Sequence, residues 1–487
     1  MQNRRTFLKM GVAGSAFLPV FAELSAKAEQ KDATVKRKKE INIGIVGFGS
    51  MGCILSDSLV RCEGARVICV CDIWKFRLLQ AKQFFKAYKQ EIKQYYDFNE
   101  MLDAEAKNLN AVIVASPDWM HCDQVCECLR RGLHVHCASP MADTLEKAAT
   151  MCRVAKASGR LLQIGDQRRI LPVYRLAFEH VVPEMLGRLV FAHAENRMSM
   201  HPMNMFKRPP KDDVLAKYGY GNAEQYINWK WFRKYGPGSA LETLASQTDL
   251  FCRAWGTPPC SVTAVGGCDI FRPPRENLDN LSSVFEFKQP DGSLARATHR
   301  FVIAHKCTSP TYEEFNGLRA VLRLSTCWFS PKSDGPANYV RRTWNLSREE
   351  YAKEWRTFVD NGWILPSEWE RKLKEIVDCD CSPTEPADES TVCPLNVKKE
   401  NKSAYRLLME NFLTAIRGEA KLEAPADSLY ASMVAAFGAM RSAARHETVY
   451  FKPEDFTPGS VQNTCQSAQG TIRADGMRPA AASERGR

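Results

Sequence analysis

The sequence predicts an α/β protein in which an N-terminal, doubly wound parallel sheet precedes a larger and mostly antiparallel open sheet. Three observations predict it. An apolar run ends in a GxGxxG turn that opens a helix, and an acid stands twenty residues past the last glycine. Short apolar runs then alternate with helical patterns as far as about residue 165. Beyond that point, strand-like runs follow one another with turns between them.

The first strand is residues 41–46, Ile-Asn-Ile-Gly-Ile-Val, the nearly unbroken apolar run that a buried parallel strand requires. It leads into Gly47-Phe48-Gly49-Ser50-Met51-Gly52 and a helix over 51–61. A second strand, 66–71, ends at Asp72. Gly47 permits the tight turn, Gly49 lets backbone approach a pyrophosphate, and Gly52 lets the helix pack on the strand. A pyrophosphate would rest on the helix N-terminus, where free N–H groups and the dipole favour negative charge. Asp72 would accept hydrogen bonds from the adenosine ribose and repel a 2′-phosphate, so NAD is expected in preference to NADP.

Helices are expected over 83–94 and 99–106, then a strand over 110–115. It ends in the loop Ser116-Pro117-Asp118-Trp119-Met120-His121, at the strand end where open α/β sheets bind ligands. Helix 122–131, strand 134–137, helix 144–158 and strand 161–164 complete a Rossmann domain over 41–165. Strands over 189–195, 261–266, 282–287 and 295–303 belong to a second domain, 166–456, that supplies the substrate and oligomer surfaces. Within it, 207–236 reads as an aromatic-rich loop and about 330–400 as an insertion. Helices over 404–416 and 425–445 close it, and 457–487 has the composition of a disordered tail.

Of the 487 residues, 45% are hydrophobic and 25% charged, an ordinary globular balance. Beyond the first residues no apolar run approaches ~18, which excludes a polytopic membrane protein. The net charge of +11 is scattered, without a basic stripe interleaved with aromatics, so no nucleic-acid partner is expected. Arg4-Arg5-Thr6-Phe7-Leu8-Lys9, a mild apolar stretch to Ala22 and Ala26-Lys27-Ala28 read as a twin-arginine signal peptide over 1–28, followed by a linker over 29–40. The expectation is a periplasmic protein exported already folded. Most of the eighteen cysteines lie in apolar contexts and are expected to be buried free thiols, with Cys379, Cys381 and Cys393 as exceptions. No second CxxC or His pair flanks those three, so no metal site is expected.

These residues resemble the Gfo/Idh/MocA oxidoreductases. The likeness rests on the glycine turn through Asp72, the Ser116-Pro117 loop closing on His121, Gln163 to Arg169, Tyr312-Glu313-Glu314-Phe315 and the final Lys452-Pro453-Glu454-Asp455-Phe456. It implies a sugar-like substrate and a homo-oligomer formed through the open C-terminal sheet. It also implies that Gly47, Phe48, Gly49, Ser50, Met51, Asp72, Ser116, Pro117, His121, Ser139 and Gln167 border the cofactor. Arg168 and Trp231 are the substrate candidates, because guanidinium groups and aromatic faces suit carboxylates, hydroxyls and pyranose rings.

Two positions depart from the family. The usual Glu-Lys-Pro is Ala138-Ser139-Pro140, and the usual Asp-Leu-Gly-Ser-His-Gln-x-Asp is Glu242-Thr243-Leu244-Ala245-Ser246-Gln247-Thr248-Asp249. Both losses fall on groups that handle protons, which contribute ~10²–10⁴-fold to such reactions. Glu242, Asp249, Tyr235 and His121 remain as candidates for that work. Three readings follow: an oxidoreductase with a replaced base, an NAD-dependent glycosidase that oxidises its substrate transiently, or a non-catalytic binding protein.

Overall fold

A computed structural model describes residues 38–199, 209–270, 274–304, 311–324 and 402–459, with short stretches between 339 and 394. The leader, most of the linker and insertion, residues 460–487, Cys379, Cys381 and the side chain of Cys393 lie outside the described residues.

The N-terminal sheet has six strands, β1 (Ile41–Val46), β2 (Ala65–Cys71), β3 (Lys93–Tyr95), β4 (Ala111–Val114), β5 (His134–Cys137) and β6 (Leu162–Ile164). They lie in the order β3-β2-β1-β4-β5-β6, and the ladders are all parallel. The reversal of order between β1 and β4 makes the switch point at which such sheets bind ligands. Helices α1 (Ser50–Leu59), α2 (Lys75–Ala87), α3 (Phe98–Glu105), α4 (Asp118–Arg130) and α5 (Leu145–Ser158) connect the strands. Ile43, Ile45, Ile113 and Val114 are buried at its centre, each contributing ~1.5–3 kcal/mol of apolar burial.

After a short helix α6 (Pro172–Leu176) comes the second sheet: β7 (Leu189–Ser199), β8 (Ser261–Gly267), β9 (Asn280–Lys288), β10 (Leu294–Ala304), β11 (Thr311–Gly317), β12 (Ala320–Leu324), β13 (Tyr339–Arg342), β14 (Val392–Pro394) and β15 (Val449–Tyr450). Its order is β14-β13-β12-β11-β7-β10-β9-β8-β15, antiparallel except for the β7–β10 pair. One face, with Ala192, Ala194, Phe285, Ala297 and Phe301, is buried under α9 (Ser239–Trp255). The other leaves Phe191, Val265, Val284 and Leu294 exposed. Helices α10 (Ala404–Ile416) and α11 (Ala426–Arg445) return to the first domain, α10 packing on α1 and α11 on α5. Among the described residues no helix is long and apolar enough to cross a membrane.

The structure corrects four local expectations. The helix expected over 83–94 is α2, Lys75–Ala87, whose buried stripe is Leu78, Ala81 and Phe85; it stops before Lys89, which takes a left-handed φ of 57°. Lys93-Gln94-Tyr95 then makes β3, too polar to show as an apolar run. Helix α4 begins at Asp118, not Cys122, because Pro117 serves as its extended N-cap. The stretch read as a loop over 207–236 contains α7 (Asp212–Lys217), α8 (Ala223–Ile227) and two 3₁₀ turns, with the Asn222 side chain capping α8 through the Gln225 N–H.

Candidate functional site

The glycine turn sits at the C-terminal ends of β1 and β4. Gly47 has a φ of 87°, and a Cβ there would lie 2.7 Å from the Ala115 carbonyl oxygen. A Cβ on Gly52 would stand 2.1 Å from the Gly47 carbonyl oxygen, so α1 can approach β1 only because that carbon is missing. Gly49 differs: a Cβ there would meet nothing within 4 Å. It is the N-cap of α1, and no side chain caps that helix. Ser50 and Met51 begin the helix, whose first-turn N–H groups are thus available to an anion in an open cradle.

Asp72 closes the cradle. Its Oδ2 accepts from the Phe48 N–H at 2.7 Å and its Oδ1 from the Trp74 N–H at 2.8 Å. Burial raises its carboxyl above the usual range, while those two donors and Arg77 pull it down. A carboxylate offers about four lone-pair sites, so each oxygen keeps capacity for a ribose hydroxyl. These residues fit the pyrophosphate and ribose of a dinucleotide.

Further along the sheet edge, His121 is buried between two backbone carbonyls, with Nε2 2.8 Å from Ser116 O and Nδ1 3.1 Å from Pro140 O. Burial lowers its pKa, with the carbonyls opposing. The ring ties the loop of Ser116 and Pro117 to that of Ser139 and Pro140. The Ser116 hydroxyl is itself paired with Gln124 Oε1 at 2.5 Å.

Ser139 and Ser246 line one small cavity, together with Met141, Asp166, Ala245 and Met433. The Ser246 hydroxyl donates to Asp166 Oδ2 at 3.0 Å. Burial, then the charge of Asp249, raises the Asp166 carboxyl above its usual range, against Arg168 and Arg169. The two positions that depart from the family therefore face one space, and Asp166 has entered it. The sequence signal for Asp166 lay in the Gln163–Arg169 segment, where Gln167 and Arg168 are the residues the sequence singles out.

Gln167 opens a 3₁₀ turn whose arginines are engaged in ion pairs with β11 and α9. Arg168 pairs with Glu313 at 3.1 Å and donates to Gln247 Oε1, and Tyr174 donates to the other oxygen of Glu313 at 2.6 Å. Arg169 grips Asp249 through two nitrogens and donates to the Ser428 hydroxyl at 2.7 Å. Asp249 thus stands against Arg169, outside the residues that line the cavity. Tyr235 is also turned elsewhere, its hydroxyl accepting from Gly221 N–H at 3.1 Å and donating to Gln225 Oε1 at 2.8 Å.

Glu242 lies on α9 one turn before Ser246 and pairs with Lys230. Lys230 belongs to the 3₁₀ turn Trp229–Trp231, and the Trp231 carbonyl accepts from Glu276 and Asn277 N–H groups. Burial works against the charge of Lys230, but Glu242 and Asp118 outweigh it and raise its pKa. Asp118 is buried at the start of α4, where desolvation pushes its carboxyl up to about 8 despite Lys230. Asp118 was not legible as a site residue, because the cation beside it, Lys230, lies more than one hundred positions away.

Residues 212–235 cross the C-terminal edge of the parallel sheet. Leu215, Tyr220, Phe232 and Tyr235 form a separate aromatic core against Ile73 and Trp119. Trp74 meets Tyr226 edge-on at 6.0 Å, Trp119 meets Tyr220 edge-on at 5.6 Å, and Tyr218 donates to the Tyr96 carbonyl at 3.0 Å.

Residues 41–166 match the family described as oxidoreductase family, NAD-binding Rossmann fold. The chain is 29% identical over 161 residues to an inositol 2-dehydrogenase of Rubrobacter xylanophilus, a stretch covering 33% of this chain and 44% of that protein. It is 24% identical over 255 residues to a glycosyl hydrolase family 109 protein of Shewanella sp. strain ANA-3, covering 46% of this chain and 55% of that one. The chain thus spans about half the length of these relatives. The WlbA dehydrogenase of Bordetella pertussis, solved with NADH and UDP-GlcNAcA, shares the fold with a TM-score of 0.61 at 14% identity, over 86% of this chain and 99% of that one. Residues 41–166 are thus similar to the NAD-binding Rossmann domain of the Gfo/Idh/MocA oxidoreductases.

Proposed function

We propose that the chain is an exported, NAD-dependent oxidoreductase acting on a sugar, glycoside or cyclitol. One observation carries this reading: the uncapped start of α1 opens onto free space at Gly49 beside the buried carboxylate of Asp72. A second negative charge on the ribose would meet that carboxylate directly, which favours NAD over NADP. The substrate class is supported by the relatives, which include an inositol dehydrogenase and a glycosyl hydrolase. Export is supported by the twin-arginine motif at residues 4–9. A homo-oligomer is supported by Phe191, Val265, Val284 and Leu294 on the uncovered face of the second sheet.

The dinucleotide, when bound, supplies the hydride chemistry. The chain's own task is to hold the substrate and move its hydroxyl proton. Asp166 with Ser246 and Lys230 with Glu242 are the described pairs that flank positions 139 and 246. Arg168 and Asp249 are held in ion pairs with Glu313 and Arg169 and act on Asp166 through their charge.

The test is to denature purified protein and identify any released nucleotide by mass spectrometry. Native protein is then given myo-inositol, free hexoses and nitrophenyl glycosides while reduced-nicotinamide absorbance is followed. Reduction on a sugar or cyclitol supports the oxidoreductase. Glycoside cleavage without net reduction supports transient oxidation. A second reading, a non-catalytic binding protein, is favoured by Ser139 and Ser246. It leads if the site neither holds nor takes up NAD, or if turnover starts only after Ser139→Lys with Ser246→His.

A further inference from the structure

We propose that the strap of residues 212–235 is part of the dinucleotide site, and that Tyr226 and Tyr220 wall in its adenosine end so that the bound dinucleotide exchanges slowly. The inference rests on the dinucleotide reading above.

The geometry begins at Asp72. Ile73 and Trp74 follow it directly, and Trp119 stands at the start of α4, beyond the end of β4. In a parallel sheet of this order, the adenosine of a dinucleotide lies beside the acid that ends β2, on the side of the strand C-termini. The strap packs on these residues. Tyr226 faces Trp74 at 6.0 Å and Tyr220 at 5.0 Å; Tyr220 in turn faces Trp119 at 5.6 Å and Tyr235 at 5.2 Å. Four aromatic rings thus run from the end of β2 to the start of α4. Asp72 lies near enough for its charge to act on both tyrosine hydroxyls.

The strap is braced within itself and anchored where it leaves. Lys234 Nζ donates to the Gly219 carbonyl at 2.9 Å, and Tyr235 bonds Gly221 and Gln225. Asn277 Nδ2 donates to the carbonyls of Lys230 at 2.9 Å and Gly236 at 2.8 Å. On the other side, Lys147 donates to the Trp119 carbonyl at 3.0 Å, fixing the residue on which the strap rests. The middle of the strap is held to the first domain by ring contacts and by the Tyr218–Tyr96 hydrogen bond. Release of a nucleotide from beneath it requires those contacts to part, which scales the observed off-rate by the open fraction.

The test is a chase. Full-length protein is loaded with radiolabelled NAD, diluted into excess unlabelled NAD, and sampled by rapid gel filtration. The expected result is slow release from wild type, at least tenfold faster release from Tyr226→Ala, and an intermediate rate from Tyr218→Phe, which cuts only the hydroxyl bond to Tyr96. Tyr226→Phe keeps the wall and should release as wild type does. Near-ultraviolet circular dichroism confirms that each variant is folded. Wild-type binding with equal release from all four proteins overturns the inference and leaves the dinucleotide reading intact. Binding gained only in Tyr226→Ala also overturns it, because the strap would then be a plug. No binding by any variant removes the dinucleotide reading itself.

Discussion

Asp118 is the residue whose environment is most at odds with its chemistry. Its carboxyl is buried and held at about 8 in the folded chain, against ~3.9 when unfolded. A raised carboxyl stabilises the fold fully below the unfolded value and loses that contribution as pH climbs through the folded one. The contribution of Asp118 should therefore fall between about pH 4 and pH 8, and relative to wild type Asp118→Asn should gain melting temperature across that window, most near pH 8.5. A variant with an unchanged slope in a thermal melt series would place the effect elsewhere. At the opposite end of the scale, Gly49→Ala meets no atom and should leave the melting temperature within about 1 kcal/mol of stability while weakening NAD retention in the gel-filtration assay. Gly52→Ala should lose both, because its Cβ overlaps the Gly47 carbonyl. How legible such residues were in the sequence depended on range. The glycines and Asp72 could be read because turn, helix start and acid are fixed by spacing along one βαβ unit. Asp166, Lys230 and Asp118 could not, because their roles arise where α9, the strap and the first domain meet.

Among the elements, the 3₁₀ turn Gln167–Arg169 joins the two sheets through charge. Asp249 is 2% exposed and Arg169 14% at their pair. Removing one partner of a buried ion pair strands the other, at a cost of ~3–5 kcal/mol. Arg169→Leu should therefore lower the urea midpoint strongly, and Asp249→Leu in the same chain should recover part of the loss. If the double variant loses the sum of what the two single variants lose, the pair is not coupled. Arg168 was expected to meet substrate, since sequence shows a cation at a strand end but not the carboxylate waiting opposite. Helix boundaries followed the same logic. The α11 helix was legible from its length and apolar face, whereas β3 and the strap helices, short and polar, depend on what they touch.

At the scale of the whole molecule, the histidines set the acid limit. Burial lowers His136 to about 4 and His299 to about 3, while both return to ~6.5 in the unfolded chain. A depressed histidine lends stability that is present above the unfolded value and lost as pH falls through the folded one. The contribution of these two histidines is expected to drop from about pH 6.5 toward pH 3.5, and His299→Gln should shrink that drop relative to wild type. An identical acid slope in the variant would exclude His299 as a cause. The two-sheet plan was legible because strand–helix alternation and the later run of strands each extend over many residues. How the domains lock was not, since the locking residues are isolated polar side chains.

The free edge of the parallel sheet is closed late in the chain. The Ile164 N–H donates to the Ala424 carbonyl at 2.9 Å, and Gln163 bridges Pro425. The ribosome must add about 260 further residues after β6 before that closing segment exists, which at 5–20 residues per second takes on the order of 10–50 s. Throughout that interval the nascent Rossmann half displays an unpaired strand and the apolar faces that α10 and α11 later cover. Nascent chains arrested near residue 400 should accordingly be cut by protease within the first domain, and should resist once synthesis passes residue 445. For the greater part of its synthesis, then, the first domain waits for the segment that covers it.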